Sequence, residues 1–591
     1  MRLIVVGLAL ACSVSLLSAI SYVEASNGLS NPGLESGHTQ LRFADVNNDG
    51  NPDILSIGDH ANPGAQEQGL MTWFGDGQGN WSLAQYGSNF GYGGIAVGDL
   101  NRDGDLDVAF AMHHDYAPSG QLGSKLMEAA LGDGTGRNWV AWDTGLASNG
   151  ETWGMFGTDL ADFDNDGWLD MISVTFGFSG IRAYLNLHNG HWTQSFAHAD
   201  TVAIVDHIVC GDINNDGNVD FAVGAQHGTA FLGDGAGSFT NVDRNLPPFS
   251  AQGGRAGVWL GDVDNDGAEE LSLVNINQGV DVWKWNSAGD SWVNVSDGLP
   301  TSGSYQTTRI YDMNCDGFMD VIGFGNETCT VWLGDGGAHW TEGASFATPA
   351  PGDYSALEAG GDMDHNGFPD LALVDDESPN VLHCFKEASV PESLRITPML
   401  PRGGEKFVPG SAQFIDWVCA VPPGGTAEIR LDISFTGPTG PWSPVATNLK
   451  NSGRYQYVVP DTPSTDCYVR YIGASGAQAD TVLTPRAFTI LGPAAVAGNL
   501  PTARHRVYLS ASVSPNPAAG KAVVNYELPG RSPIRVSIHD ASGRQTMCLV
   551  AATQAAGRHQ LSLDPHLLSP GIYFCRVQTD SGATVSKFVM R

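Results

Sequence analysis

The sequence predicts an all-β protein, with a seven-bladed β-propeller followed by two β-sandwich domains. One acidic nine-residue loop recurs seven times between residues 26 and 387, and strand-like segments flank every copy. After residue 387 the loops stop, and short segments of alternating apolar and polar residues continue to the C-terminus. Composition agrees, because 75 Gly, 31 Pro and only 16% charged residues describe a turn-rich chain without long helix-forming runs.

The first residues carry the pattern of an export signal. Arg2 precedes an apolar run from Leu3 to Leu17, and the Val-Glu-Ala tripeptide at residues 23–25 offers a signal peptidase site. Residues 1–25 are therefore expected to be a signal peptide of a secreted or surface protein. A lipid anchor at Cys12 is the alternative, although the residues before it match the usual sequence poorly. No later stretch reaches the roughly 20 apolar residues that a membrane-spanning helix needs.

The seven acidic loops share one pattern, with an acidic or amide residue at positions one, three, five and nine and Gly at position six. Oxygen ligands at these spacings, with a Gly that permits a sharp turn, suit a hard cation that takes six or more oxygens, and Ca²⁺ fits best. Up to seven structural Ca²⁺ ions are expected. The predicted ligands are Asp45, Asn47, Asp49 and Asp53; Asp99, Asn101, Asp103 and Asp107; Asp162, Asp164, Asp166 and Asp170; Asp212, Asn214, Asp216 and Asp220; Asp262, Asp264, Asp266 and Glu270; Asp312, Asn314, Asp316 and Asp320; and Asp362, Asp364, Asn366 and Asp370.

An EF-hand uses a similar loop, but the flanking sequence argues against it. No Glu stands at the twelfth position, and each loop runs into a β-type segment such as residues 53–57 or 107–111. Most repeats add a third strand that ends in a Gly-Asp-Gly turn and an aromatic residue, as in residues 73–81. Four short strands in about 50 residues, repeated radially, are typical of a propeller blade.

These repeats, from about residue 38 to residue 387, resemble the FG-GAP/VCBS family, whose relatives include the propeller heads of integrin α chains. The resemblance implies that each loop joins the innermost strand of a blade to the next strand, so that the metal is structural and not a reaction centre. The fifth loop, which ends in Glu270, and the seventh, with Asn366 at position five, depart from the pattern. Both are expected to hold calcium less tightly.

The end of the channel opposite the calcium loops is the predicted ligand-binding face. The starts of the innermost strands and the connections between second and third strands should meet there, and aromatic and polar side chains gather at these positions. Such side chains suit a glycan or a protein ligand, and the alternative is that they fill the channel. The candidates are His38, Tyr92, His113, His114, Tyr116, Trp153, His207, His227, Arg255, Tyr305 and Tyr354.

Catalytic chemistry finds little support in the sequence. The adjacent His113 and His114 would point to opposite faces of a strand, which disfavours a transition-metal site, and no Gly-x-Ser-x-Gly motif marks a catalytic serine. The chain is expected to be a non-enzymatic adhesion or binding module. An enzyme acting on extracellular polysaccharide and a purely structural surface protein stay open as alternatives.

Two small sandwich domains are predicted at residues 391–491 and 507–591, with an Ala/Gly/Pro-rich linker at 492–506. The first resembles immunoglobulin-like modules of bacterial surface proteins and is expected to be a spacer with Trp417 in its core. The second contains a Ser-Pro-Asn-Pro segment at 514–517, a Gly-Ile-Tyr-Phe strand and a C-terminal Lys-Phe-Val-Met-Arg. It resembles the C-terminal sorting domain of type IX secretion substrates, which implies passage through the outer-membrane secretion machinery.

Cysteine content and charge limit the remaining possibilities. Eight cysteines follow Cys12, too few for a disulfide scaffold but compatible with isolated bridges. The candidate pairs are Cys419 with Cys467 and Cys548 with Cys575. The net charge of −35 argues against nucleic acid as a partner.

Overall fold

A computed structural model describes residues 20–492 and 510–590 of the chain, with gaps. The gaps are 31–39, 59–67, 116, 152–154, 176–179, 200–202, 226–227, 249–254, 351–355, 376–380, 515–521, 529–531, 541–543, 555–556, 564–567 and 580–581. All regular elements in the described ranges are β-strands, which confirms the all-β prediction. No helix in these ranges is long and apolar enough to cross a membrane. The chain divides into two compact units at residue 500, and each is described by itself.

Seven antiparallel four-stranded sheets lie between residues 22 and 387. Six of them use four consecutive strands, from β2–β5 to β22–β25, and the seventh has the order β1-β28-β27-β26. The strands are β1 (Tyr22–Glu24), β2 (Arg42–Ala44), β3 (Asp53–Ser56), β4 (Leu70–Gly75), β5 (Trp81–Tyr86), β6 (Phe90–Gly98), β7 (Asp107–Asp115), β8 (Met127–Leu131), β9 (Val140–Ala141), β10 (Met155–Ala161), β11 (Asp170–Thr175), β12 (Ile181–Asn186), β13 (Trp192–His198), β14 (Ala203–Gly211), β15 (Asp220–Ala225), β16 (Ala230–Gly233), β17 (Phe239–Asn241), β18 (Ala256–Gly261), β19 (Glu270–Val274), β20 (Val280–Asn286), β21 (Ser291–Asn294), β22 (Tyr305–Tyr311), β23 (Asp320–Gly325), β24 (Thr328–Gly334), β25 (Trp340–Ala347), β26 (Leu357–Ala359), β27 (Leu371–Val374) and β28 (Leu382–Glu387).

The sheets pack face to face through apolar side chains. The first strands of successive sheets contact one another, so these strands lie innermost. A hydrophobic cluster lies between each sheet and the next, and another joins the last sheet to the first, where Trp73 and Ile54 pack with Met363 and Cys384. Repeated antiparallel sheets in contact through their inner strands form a propeller-like fold, as the repeats predict.

The N-terminal boundary of this region differs from the predicted one. Tyr22–Glu24 pairs with β28 as the outer strand of the last sheet, and Ile20 is buried. The apolar run before these residues obscured the strand, so the predicted domain start at residue 26 lies too far along the chain. Residues 1–19, with most of the expected signal peptide, lie outside the described residues.

Residues 391–491 form two facing sheets with an apolar core between them. One has the order β29-β31-β34 and the other β30-β37-β35-β32-β33, with β36 paired to β35. Trp417 is 2% exposed in the core, where it was expected, and its indole N–H donates to Asn451. The strands are β29 (Arg395–Leu400), β30 (Lys406–Phe407), β31 (Ala412–Ala420), β32 (Glu428–Ser434), β33 (Ser443–Leu449), β34 (Arg454–Val458), β35 (Ser464–Ser475), β36 (Gln478–Leu483) and β37 (Phe488–Ile490).

The C-terminal unit has two further sheets, with the orders β38-β39-β42 and β41-β40-β43-β44. Its core contains Val524, Val536 and Phe588. The strands are β38 (Ser510–Ser514), β39 (Ala522–Leu528), β40 (Ser532–Asp540), β41 (Gln545–Gln554), β42 (Gly557–Leu563), β43 (Gly571–Thr579) and β44 (Gly582–Met590).

Neither predicted disulfide forms, and all eight cysteines in the described residues are free thiols. Cys548 is exposed on β41 while Cys575 is buried on β43, and these strands flank β40 on opposite sides. Cys419 and Cys467 share one core, but they lie on different sheets and each thiol contacts a nearby backbone carbonyl. The spacing of cysteines along the sequence does not show on which sheet each thiol lies or which way it faces.

Candidate metal centres

The seven acidic loops share one backbone conformation. Position four has a φ between 50° and 61° and the Gly at position six a φ between 86° and 97°. A positive φ near 90° costs Gly far less than any other residue, which explains its presence in every copy. In the first loop the amides of Asp49 and Gly50 donate to the two Asp45 oxygens at 3.0 and 2.8 Å. The backbone therefore folds around the side chain at position one.

The residue at position nine ties six of the seven loops to the third strand of the sheet through a backbone amide. Asp53 is fully buried, and its oxygens accept the amides of Val46 at 3.2 Å and Gly75 at 3.0 Å. The same pair of bonds recurs at Asp107, Asp170, Asp220, Asp320 and Asp370. This carboxylate fixes the position of the second and third strands relative to the loop.

Carboxylate oxygens converge inside these loops. In three of them, oxygens at positions one, three and nine all lie within 4.8 Å of one another. These groups are Asp162, Asp164 and Asp170; Asp262, Asp264 and Glu270; and Asp362, Asp364 and Asp370. The other four loops have Asn at position three, which supplies an amide oxygen in place of a carboxylate.

Burial makes this concentration of negative charge unfavourable without a cation. Burial, together with the nearby Asp45, raises the pKa of Asp53 to about 8, and burial and Asp166 raise the pKa of Asp164 to about 7. Asp164 Oδ1 is buried with no hydrogen-bond partner among the described atoms. Hard oxygen donors, one of them unpaired, and excess buried charge fit a calcium ion.

The fifth and seventh loops differ from the others because a lysine forms an ion pair with a carboxylate of the loop, whereas Lys406 beside the fourth loop donates to the Asn215 carbonyl. Lys284 Nζ lies 2.5 Å from Asp264 Oδ2 and 2.7 Å from Asp266 Oδ2, and Lys386 Nζ lies 2.9 Å from Asp364 Oδ2. Glu270 and Asn366 distinguish these two loops in the sequence. The lysines were not predicted, because they lie on the third strand, outside the motif.

The residue at position four, which the metal pattern leaves open, links neighbouring loops. Asn48 Nδ2 donates to Asp105 of the second loop at 3.0 Å, and Asn165 Nδ2 donates to Asn218 of the fourth at 3.1 Å. His365 Nε2 lies 3.0 Å from Asn51 Oδ1, which joins the seventh loop to the first. The left-handed backbone at this position directs the side chain sideways, so loops far apart in sequence support one another.

The domain at residues 391–491 packs directly on these loops. The Ala412 amide donates to Asp162 Oδ2 at 2.8 Å, and Arg402 Nη2 lies 3.1 Å from Asp312 Oδ2, with both side chains buried. Gln456 bonds the backbone of Asp99. The expectation of a spacer is therefore wrong: this domain covers the loop end of the propeller-like region.

Charged side chains meet on the innermost strands just above the loops. Arg42 Nη1 lies 3.4 Å from Glu358 Oε2, and Arg42 Nη2 lies 3.8 Å from Asp159 Oδ1. Arg309 lies beside Glu358 and over the ring of Trp259, 4.1 Å from its centroid. These ion pairs line the axis at its loop end and join the first, third, sixth and seventh sheets. These charged residues were not predicted, because the candidate residues lie at the opposite ends of the same strands.

Of the candidate ligand-binding residues, Tyr92 and His113 come together. Their ring centroids lie 5.3 Å apart, and the His113 ring stacks on Phe156 at 5.5 Å. Arg255 is 9% exposed and bonds Asp243, Leu246 and Pro247, which gives it a structural role. Tyr305 packs edge-on against Trp332. His114 and His207 lie on β7 and β14, but their side chains are outside the described part of the structure. Five candidates lie outside the described residues altogether, namely His38, Tyr116, Trp153, His227 and Tyr354.

The chain carries FG-GAP-like repeats and a secretion-system C-terminal sorting domain. The repeat model matches residues 45–110, 162–223, 212–273 and 312–373, which include all seven acidic loops. The sorting-domain model matches residues 512–591. Together they indicate a secreted or surface β-propeller protein that uses the type IX secretion machinery. No curated protein matches the sequence.

Several solved structures resemble parts of the fold at low identity. A lectin from Agrocybe aegerita, described for specific recognition of non-reducing terminal N-acetylglucosamine, is 16% identical over 52% of this chain and 79% of its own, with a TM-score of 0.36. The Tc holotoxin pore of Photorhabdus luminescens is 10% identical over 95% of this chain and 30% of its own, with a TM-score of 0.35. PorZ of Porphyromonas gingivalis, a surface component of the type IX secretion system, is 10% identical over 95% of this chain and 99% of its own, with a TM-score of 0.19.

Proposed function

We propose that this protein is an exported, calcium-stabilised seven-bladed propeller that binds a glycan or a protein at the channel end opposite its acidic loops. The observation that carries the proposal is the coverage of the loop end by the domain at 391–491, through contacts such as Ala412 to Asp162 and Arg402 to Asp312. A covered loop end gives the metals a structural role and directs partners to the other end.

The way the sheets connect supports the proposed count of seven blades. Each of the seven sheets shares a hydrophobic cluster with its neighbour, and the cluster around Trp73 and Cys384 returns from the last sheet to the first. The pairing of β1 with β28 supplies the last sheet with a strand from the other end of the region. A ring of this kind leaves only short, protected sheet edges.

Calcium in this account holds the second and third strands of a blade to the innermost strand. Residues at positions one, three, five and nine would supply the ligands; in the third loop the carboxylates of Asp162, Asp164 and Asp170 already converge, and Asp166 would complete the set. A bound ion offsets the burial and the repulsion that raise the pKa of a carboxyl such as Asp164. The ion would take no part in a reaction.

The two domains after the propeller have separate roles in this proposal. The domain at 391–491, an immunoglobulin-like sandwich in this proposal, supports the loop end of the propeller. The sorting domain directs the chain, after removal of an N-terminal signal peptide, to the surface or the medium. Exposure to millimolar extracellular calcium would then fill sites of ordinary affinity.

The ligand face is proposed to centre on the ring cluster of Tyr92, His113 and Phe156. These rings occupy the start of β6, the end of β7 and the start of β10, away from the acidic loops. Tyr92 is 9% and Phe156 2% exposed, so the half-buried His113 is the ring of this cluster that a ligand would reach, with the other two rings supporting it. An aromatic ring with polar edges is typical of sugar-binding and peptide-binding surfaces.

The test is binding of the full calcium-loaded chain to a glycan array and to extracellular matrix proteins. His113→Ala should weaken binding at least tenfold. The matched control is Val140→Ala, on the exposed outer strand β9 of the same sheet, which should bind as the native chain does. Equal loss in both variants, or no binding by the folded protein, would favour the purely structural alternative. Release of new sugar ends from polysaccharide would favour the enzymatic alternative.

A further inference from the structure

Two lysines occupy equivalent positions in two of the seven sheets. In each sheet the residue after position nine pairs with a third-strand residue, such as Leu271 with Trp283 and Leu371 with Phe385. The next residue is Lys284 in the fifth sheet and Lys386 in the seventh. The equivalent residues in the other sheets are apolar, namely Phe74, Leu131, Leu185, Leu232 and Leu333.

Lys284 reaches three of the four ligand positions of its loop. Its Nζ lies 2.5 Å from Asp264 Oδ2 at position three, 2.7 Å from Asp266 Oδ2 at position five and 3.2 Å from Glu270 Oε1 at position nine. The Glu270 contact is an ion pair without hydrogen-bond alignment. A metal ion in this loop would need the same oxygens, so the ammonium group and the ion compete for one place.

Lys386 approaches a loop that has also lost a carboxylate. Its Nζ lies 2.9 Å from Asp364 Oδ2 at position three. Asn366 replaces the usual Asp at position five, and its Nδ2 donates to the Glu387 carbonyl at 2.7 Å. In Asp this atom would be the second carboxylate oxygen and a possible metal ligand. In Asn366 it is a nitrogen that already donates a hydrogen bond to Glu387.

The third loop has the same number of carboxylates as the fifth, but its cationic neighbours differ. The nearest cationic candidate, His188, contacts only Asp166 at position five. Oδ1 at position three lacks a hydrogen-bond partner among the described atoms in both loops, so the two loops differ in their cationic contacts and not in this atom. The arginine at the sixth loop, Arg402, contacts only Asp312 at position one, on the oxygen that also accepts the Gly317 amide. The lysine at the fourth loop, Lys406, donates to the Asn215 carbonyl at 2.8 Å and, within the described part of the chain, forms no ion pair with a ligand carboxylate. None of these groups spans the ligand positions as Lys284 does.

We propose that the ammonium groups of Lys284 and Lys386 take the place of calcium in the fifth and seventh loops, so that the chain binds five ions and not seven. The inference rests on the proposed calcium use by the remaining loops. A lysine supplies one positive charge and three donors at all calcium concentrations. The seventh blade, where β1 and β28 bring the two ends of the propeller together, is thereby closed without calcium.

The test counts calcium by elemental analysis of the full chain, after equilibration in calcium and removal of free ion. The native chain should hold five ions, Lys284→Leu six, and the double variant with Lys386→Leu seven. The leucine is the residue that other blades use at this position. Lys284→Gln, which keeps the length without the charge, replaces the leucine variant if that variant does not fold.

The reciprocal variant provides the matched control. Leu232→Lys places an ammonium group beside the fourth loop at the equivalent, partly buried position, and should lower the count from five to four. Seven ions in the native chain, or an unchanged count in both lysine-removal variants, would overturn the inference and leave the calcium-loop proposal standing. No bound calcium in any variant would overturn both.

Discussion

The third and fifth loops carry the same carboxylate count, four each, yet their surroundings differ. In both, Oδ1 at position three is buried without a hydrogen-bond partner among the described atoms, but Lys284 contacts the residues at positions three, five and nine of the fifth loop, whereas His188 contacts only Asp166, at position five, of the third. The nine-residue motif thus determines where positive charge is needed. A residue on a neighbouring strand, some 20 positions away, determines whether a metal or a side chain supplies it.

The largest difference between the two loops should appear when position nine is removed. Asp170 accepts the amides of Phe163 and Asn186, both at 2.8 Å, and Asp170→Ala would leave both donors buried and weaken the metal site. We expect a loss of about 4 kcal/mol in the free energy of unfolding, measured by urea denaturation in calcium.

The matched variant in the fifth loop is Glu270→Ala. Glu270 accepts one amide, from Val263, and Lys284 keeps its contacts with Asp264 and Asp266. The expected loss is about 2 kcal/mol and independent of calcium. If both variants lost the same free energy of unfolding, and both losses depended on calcium, the proposed difference between the third and fifth loops would be wrong.

Docking of the sandwich on the loops should contribute the next largest effect of a substitution. In calcium-free solution, Arg402→Ala removes the buried partner of Asp312 and leaves that carboxylate with an uncompensated charge. A loss of about 3 kcal/mol is expected in thermal or urea unfolding. Arg244→Ala, which breaks an exposed pair with Asp290, is the control and should cost less than about 1 kcal/mol. Similar costs for both arginines would mean that the sandwich adds little to the loops.

The pH dependence of the calcium-stripped protein should show the buried charge directly. Burial raises the pKa of Asp53 to about 8, of Asp107 to about 7 and of Asp45 to about 6, above an unfolded value near 4. The protonated forms therefore favour the folded state below pH 4, and this contribution is lost as pH rises through 6 to 8. Stability should fall by roughly 7 kcal/mol between pH 5 and pH 8 without calcium if the three carboxyls contribute additively, and not in its presence. A metal-free protein that gains stability over this range would contradict the prediction.

The smallest effect concerns the links between loops. His365→Ala removes contacts at 3.0 Å to Asn51 of the first loop and to Asn451 of the sandwich. We expect a loss of about 1 kcal/mol in unfolding free energy, against almost none for His339→Ala, whose partner Asp297 is exposed. A His365 variant as stable as the native chain would show that the loops act independently.

Local patterns predicted the strands and the loop ligands, because a turn motif and alternating strands depend on residues close in sequence. The Gly conformation follows the motif in all seven copies, and the position-nine clamp follows it in the six that have Asp at this position. The lysines lie on another strand of the same sheet, outside the motif, and the position-four links and the covering sandwich depend on contacts across blades or domains. The pair of Arg42 and Glu358 joins residues 316 positions apart. The strand Tyr22–Glu24 was missed because its pairing partner lies at the other end of the region.

The central claim is that calcium in the acidic loops holds the propeller together. Its most direct test is thermal unfolding of the purified full chain in calcium and in excess chelator at neutral pH. Each ion present at a hundred times its dissociation constant stabilises the folded state by about 2.7 kcal/mol, so loss of several ions should lower the melting temperature by roughly 10 °C or more. An identical melting temperature in both solutions would contradict the claim.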